Sequence, residues 1–205
     1  MLPFVPWQRA RPAPAGGVAA ALRDLAGADA TAAARALDRL YRDEAPRVYR
    51  YALGLCGNAA WAADATQEAF VALATRPAGY DAARGSLGAW LAGVARHALA
   101  ARWREGRLEE PWPEDEDGDA ALGADLASPE TSLVRLQDLS ALWSALRELP
   151  APFREALVLV DLQERPYAEA AAIAGIELNT LRTRLHRGRG KLAALLNAAA
   201  VGSPS

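Results

Sequence analysis

Tyr167-Ala168-Glu169-Ala170-Ala171-Ala172-Ile173-Ala174-Gly175-Ile176, continued by Glu177-Leu178-Asn179-Thr180-Leu181-Arg182-Thr183-Arg184-Leu185, is the stretch that decides the fold. A helix-turn-helix needs a small residue where its helices cross, a glycine in the tight turn, and apolar residues bracketing both. Ala171 fills the crossing, Gly175 the turn, and Ile176 and Leu181 the flanking core, at the spacing the motif requires. In the second helix Leu181, Leu185 and Leu192 form an inward stripe, and Arg182, Thr183, His186 and Arg187 then point outward. Such an outer face suits DNA: arginines for guanine edges and phosphates, hydroxyls for phosphate oxygens. Upstream, Leu142, Leu146, Leu149, Phe153, Ala156, Leu157 and Val160 read as the core of the supporting helices. A solvated basic helix in an ordinary bundle is the plainer alternative. The motif spacing and the surrounding charge weigh against it.

Charge is segregated along the chain, although the net charge is only -2. Between Glu105 and Glu130 ten acids face Arg107 alone, a net of -9 that leaves the rest of the chain at +7. After Glu177 no acid occurs, whereas Arg182, Arg184, Arg187, Arg189 and Lys191 do. The local field therefore differs sharply between segments.

Working back toward the N-terminus, two features stand out. In Asp64-Ala65-Thr66-Gln67-Glu68-Ala69-Phe70, the residues Asp64, Gln67 and Glu68 share a face while Phe70 and Leu73 point inward. That acidic face suits a partner, or is an ordinary solvent face. Further on, Tyr80-Asp81-Ala82-Ala83-Arg84-Gly85-Ser86 leads into a helix from Leu87 to Arg104, with Ser86 as its cap and Leu87, Leu91, Val94 and Ala98 as its buried stripe. Trp90, His97 and Arg104 recur every seven residues, with Arg96, Arg102 and Arg107 near them. Stacking and cationic groups on one line suit single-stranded nucleic acid; alternatively Trp90 is core.

The organisation is all-α: two small helical domains on an acidic tether. Residues 1–18 form a Pro-rich lead, 19–107 a first helical domain, 108–131 an acidic Pro- and Gly-containing linker, 132–197 the helix-turn-helix domain, and 198–205 a tail. Breaks are expected at Gly27, at Gly57-Asn58, across Arg76 to Gly85, near Leu149-Pro150 and at Gly175. Alanine and leucine dominate while Ile, Phe and Tyr are scarce, which favours helix over sheet. The single cysteine, Cys56, excludes an internal disulfide and speaks against a cysteine-based zinc site. No apolar run approaches the ~20 residues that span a bilayer, so no membrane insertion and a cytoplasmic location are expected.

Taken together, these motifs resemble the bacterial extracytoplasmic-function (ECF) sigma factors, from about Ala33 to Leu196. That family carries a D-x-x-Q-E-x-F helix, an aromatic-Asp loop and a W-L-x-x-x-A-R-N helix; here these stand as Asp64 to Phe70, Tyr80-Asp81, and Trp90-Leu91 through Ala95-Arg96-His97. Its second domain reads L-P-x-x-x-R, Y-x-E-x-A and G-T-V-x-S-R-L-x-R-x-R. This chain has Leu149-Pro150 with Arg154, Tyr167 to Ala171, and Asn179 to Arg189. The resemblance implies that Asp64, Gln67 and Glu68 dock on core RNA polymerase. It further implies that Tyr80, Arg84, Ser86, Arg96, His97 and Arg104 handle the minus-ten element of promoter DNA. Thr180, Arg182, Thr183, His186 and Arg187 would read the minus-thirty-five element, and the acidic linker would run toward the RNA exit path. An anti-sigma partner is also implied, with no cofactor and no catalytic residue. Three positions depart from the pattern: His97 replaces an asparagine, Asn179 a glycine and Gly188 an alanine.

Two other classes are weighed. A stand-alone DNA-binding regulator would share the C-terminus but needs a receiver or ligand domain upstream, and it leaves Asp64–Phe70 and Trp90–His97 unexplained. An enzyme is disfavoured, because the two histidines, His97 and His186, lie in arginine-rich helices and no nucleophile elbow, phosphate loop or metal-ligand cluster appears.

Overall fold

Eight helices in two lobes make up the computed structural model, which describes residues 15–104 and 136–201. The described residues contain no strand. Residues 1–14, 105–135 (the acidic linker with the start of the expected second domain) and 202–205 lie outside them; a helix already starts at Ala15, inside the lead expected over 1–18, and the last helix runs to Val201, past the expected start of the tail at 198.

The N-terminal lobe holds α1 (Ala15–Ala26), α2 (Ala30–Cys56), α3 (Ala59–Thr75) and α4 (Leu87–Arg104). Each boundary has a local cause. Asp29 caps α2 by accepting from the Thr31 and Ala32 amides at 2.9 and 3.2 Å. At the other end Gly57 takes φ +65°, its N–H donating to the Leu53 carbonyl. Asn58 follows at once and caps α3 through the Ala60 and Trp61 amides. The Gly57-Asn58 pair thus stops one helix and starts the next, folding α3 back on α2. Ser86 caps α4 as expected, accepting from the Ala89 amide at 3.1 Å.

The buried line of α4 differs from the expected one. Leu87 and Leu91 are core, but Ala95, Leu99 and Trp103 complete the line, and Val94 and Ala98 are only half-buried. From Leu91 the buried positions advance in steps of four because α4 lies against both α2 and α3, which centres its inner face between them. Phe70 and Leu73 of α3 are buried as predicted.

The C-terminal lobe runs α5 (Leu136–Glu148), α6 (Ala151–Leu157) with a π-helical turn at Val158–Leu162, α7 (Tyr167–Ala174) and α8 (Leu178–Val201). The α7–α8 turn is the predicted helix-turn-helix. Gly175 sits at φ +69°, its N–H donates to the Ala172 carbonyl, and the Ile176 N–H reaches back to Ala171. These are the paired bonds of a Schellman stop, which favours glycine at the left-handed position. One break went unforeseen: the chain also turns at 163–166, where Glu164 takes φ +54° and Pro166 precedes α7. A proline at that point removes an amide the helix would need.

The lobes pack against each other, and Arg154 sits at their junction. Its side chain is 3% exposed and donates to the carbonyls of Leu146, Arg147 and Leu149 at the end of α5. It also donates to the Leu55 carbonyl at the end of α2, at 2.8 Å. The last carbonyls of a helix have no partner within it, so one cation here satisfies two helix ends from different lobes. Arg154→Lys replaces a planar fork by an ammonium that cannot reach all four carbonyls. Chemical denaturation should show a loss of about 3 kcal/mol or more, on the scale of two charged hydrogen bonds. A loss under ~1 kcal/mol would mean that these carbonyls find other partners.

Candidate nucleic-acid interface

Helix α8 places the residues expected to read duplex DNA. Leu181 and Leu185 are fully buried and Leu192 partly so, which turns Arg182 and His186 outward; Thr180, Thr183 and Arg187 are half-buried beside them. Asn179 organises the start of this face. Its backbone carbonyl accepts from the Thr183 hydroxyl and its amide oxygen from Arg182 Nη1, each at 3.1 Å. Arg189 belongs elsewhere: it donates twice to Asp161, at 2.6 and 3.0 Å, and this partner first, then Tyr167, holds its pKa above the ordinary arginine value. Gly188 is buried where α8 crosses α6, and a Cβ there would lie 3.3 Å from Phe153 Cβ and 3.4 Å from Leu157. The glycine therefore sets how closely the two helices approach.

On the N-terminal lobe the loop before α4 is built from its own side chains. The Tyr80 hydroxyl donates to the Gly85 carbonyl at 3.0 Å, and Asp81 accepts from the Ala83 amide. Burial raises the Tyr80 pKa, and the ring meets Trp90 edge-on with centroids 6.2 Å apart. Trp90 is half-buried and packs against the core. His97 is exposed, with Nδ1 2.7 Å from the Gly93 carbonyl. A carbonyl only accepts, so Nδ1 carries the proton and Nε2 of a neutral ring is left as an acceptor. Arg84 and Arg104 are exposed.

The remaining two residues of that set face the other lobe. The Ser86 hydroxyl donates to Glu169 Oε2 of α7 at 2.9 Å, and Arg96 Nε donates to Glu155 Oε1 of α6 at 2.8 Å. The same Glu155 oxygen accepts from the Tyr51 hydroxyl at 2.6 Å. Burial first, then the Glu155 charge, push the Tyr51 phenol pKa well up and keep it a donor. On α3, Asp64, Gln67 and Glu68 are exposed as expected, and Arg102 lies between the acids at 3.0 Å from Asp64 and 3.5 Å from Glu68. Arg102, grouped with the basic platform from sequence, belongs with the acidic face.

Glu44, Tyr51, Glu155 and Arg165 were not singled out from sequence. A signal existed: Glu44, Val48, Tyr51 and Leu55 lie on one helical stripe of α2, and all four are buried. Between the lobes lies a cavity of about 590 Å³, bordered by Leu22, Glu44, Tyr80, Ser86, Arg165 and Glu169. Glu44 is 7% exposed and presses on Gly88, where a Cβ would lie 2.5 Å from its Oε2. Burial raises its carboxyl pKa, partly opposed by the Arg165 charge. Among the described residues no group of His, Cys, Asp or Glu is placed to hold a metal ion, and no helix is long and apolar enough to cross a membrane.

Residues 40–108 match the family described as Sigma-70 region 2, and residues 139–192 match Sigma-70, region 4. Among known proteins, the chain is 37% identical over 157 residues to the ECF RNA polymerase sigma factor SigE of Mycolicibacterium smegmatis, covering 76% of this chain and 59% of that one. It is 33% identical over 151 residues to EcfG of Rhodopseudomonas palustris, covering 74% and 80%. The chain thus spans under two thirds of SigE but most of EcfG. Among solved structures, the sigma factor RpoE of Bartonella quintana, in complex with the anti-sigma factor NepR, superposes with a TM-score of 0.58 at 25% identity, over 78% of this chain and 96% of that one. CnrH, solved with the cytosolic domain of CnrY, shares the fold, with a TM-score of 0.62 at 22% identity over 89% and 97% of the chains.

Glu44 makes a pH prediction. A carboxyl with a raised folded pKa stabilises the fold while protonated, and that contribution fades as pH rises through the folded value. Stability should therefore decline from the ordinary glutamate range upward, and Glu44→Gln should flatten the decline. Thermal melts across this pH window check it; an unchanged slope in the variant would assign the decline to other groups.

Proposed function

Since the chain belongs to the ECF sigma factors of the sigma-70 family, we propose that it binds core RNA polymerase and directs promoter-specific initiation of transcription, leaving catalysis to the polymerase. The observation that carries this reading is the pairing, on one chain, of a helix-turn-helix with an aromatic and basic platform and an acidic face on the other lobe. A stand-alone regulator needs only the first.

In this reading Asp64, Gln67 and Glu68 dock on the polymerase. Tyr80, Arg84, His97 and Arg104, with Ser86 and Arg96, engage the opened minus-ten strand, where bases stack on rings and phosphates meet arginines. Thr180, Arg182, Thr183, His186 and Arg187 enter the major groove at the minus-thirty-five element. The protein works in the cytoplasm, where the polymerase and its promoters are. Because RpoE of Bartonella quintana is solved with an anti-sigma factor, a separate anti-sigma partner is part of the proposal.

Reconstituted transcription with bacterial core enzyme and a library of duplex promoters tests it, by sequencing of transcript starts. Starts at a shared two-element motif should need both proteins. Arg182→Ala or Arg187→Ala should each weaken use of the upstream element about tenfold, the discrimination of one good base or phosphate contact. Binding to duplex DNA alone, with no core-dependent starts, would establish the stand-alone regulator instead.

A further inference from the structure

Asn179 stands outside the residues expected to read duplex DNA, yet it lies on their outermost line. At 3.6 residues per turn, Asn179, Arg182 and His186 fall within about 60° of one another around α8, and all three are exposed. Leu181, Leu185 and Gly188 take the opposite side and are buried. Two of the expected reading side chains turn back to this one residue. Arg182 Nη1 donates to the Asn179 amide oxygen and the Thr183 hydroxyl to the Asn179 backbone carbonyl, each at 3.1 Å.

The chemistry of the pair orients both partners. A guanidinium only donates, so the carboxamide must turn its oxygen toward Arg182. Arg182 spends an N–H of Nη1 on that bond, which leaves the adjacent Nε and Nη2 donors as its open edge. Paired donors of this kind match guanine O6 and N7 in the major groove. In water one exposed side-chain bond holds an arginine loosely, since water replaces either partner. In a groove emptied of water the bond holds firmly, because a group that lets go is left unpaired. Glycine, which the family pattern carries at this position, has no side chain with which to hold the arginine.

We propose that Asn179 is a positioning residue for promoter recognition, holding the Arg182 guanidinium so that its Nε–Nη2 edge meets one guanine of the upstream element. This role rests on the reading of α8 as the helix that enters duplex DNA, which a sigma factor and a stand-alone regulator share.

The test sequences duplexes retained from a randomised library by the full chain with core polymerase, with core polymerase alone as background. The parent chain should enrich guanine at one position of the upstream element, and Arg182→Ala should abolish that preference. Asn179→Ala keeps a strong helix former at an exposed site, so the fold should stand. It should cut the guanine preference at that position by at least about fivefold while the other positions hold. Asn179→Asp keeps the accepting oxygen, so the preference should stay within about twofold although the added charge weakens binding to every sequence. The salt dependence of affinity should keep its slope in Asn179→Ala, because no phosphate contact is lost. An unchanged guanine preference in Asn179→Ala would overturn the role, as would loss of every preferred position together. So would an Asp variant that loses the preference as fully as the Ala variant, or a parent chain with no preferred guanine. If Arg182→Ala lowered the salt slope by about one and left every preferred position intact, Arg182 would be a phosphate contact and the role would fall. Core-dependent transcript starts are read separately; their absence sinks the sigma-factor reading alone, and the selected duplexes still decide Asn179.

Discussion

The guanidinium of Arg154 is the contact on which the arrangement of this molecule turns. Helix ends leave carbonyls that water satisfies at a surface and that nothing satisfies in an interior. Here the ends of α5 and α2 meet in the interior, and one planar, permanently charged donor serves both. This position explains the Leu149-Pro150…Arg154 pattern. The proline starts α6 directly after α5 stops, and the first turn of α6 then aims the arginine back at the carbonyls just released.

The helix borders were legible where a single residue type decides them. Gly57-Asn58, Ser86, Leu149-Pro150 and Gly175 each act through local backbone chemistry, which needs no knowledge of the rest of the molecule. The α8 face was legible for a related reason, since one long helix against one core leaves little choice of orientation. Reading failed where the answer depends on what lies across a seam. Val94 and Ala98 were expected in the core, but α4 is covered from two sides and buries Ala95, Leu99 and Trp103 instead. Arg96 and Arg102 looked alike as neighbours of Trp90. One reaches Glu155 in the other lobe and the other pairs with acids on α3, partners 59 and 38 or 34 residues away in the sequence. The polar side chains within the α2 stripe, Glu44 and Tyr51, were the one trace of that seam.

The seam is unusual in its chemistry. An interior of this size is ordinarily closed by apolar side chains, whereas Tyr51, Arg96, Glu155, Glu44 and Arg165 all lie at or near the contact. Ionised groups lose hydration on burial and regain only part of it from partners, so a polar seam holds less tightly than an apolar one of equal area. It also specifies geometry more sharply, because each donor must find its acceptor.

Gly188 has a consequence of another kind. It lies six residues beyond Arg182, on the buried side of the same rod, at the point where α8 rests on α6. A residue there acts as the fulcrum of a stiff lever: a few tenths of an ångström of forced separation at the crossing tilts the whole outer face. On the proposed reading of α8, sequence preference in DNA could thus drift during evolution through a packing position on the buried side of the helix, by exchange of glycine and alanine there while every side chain of the outer face stays the same.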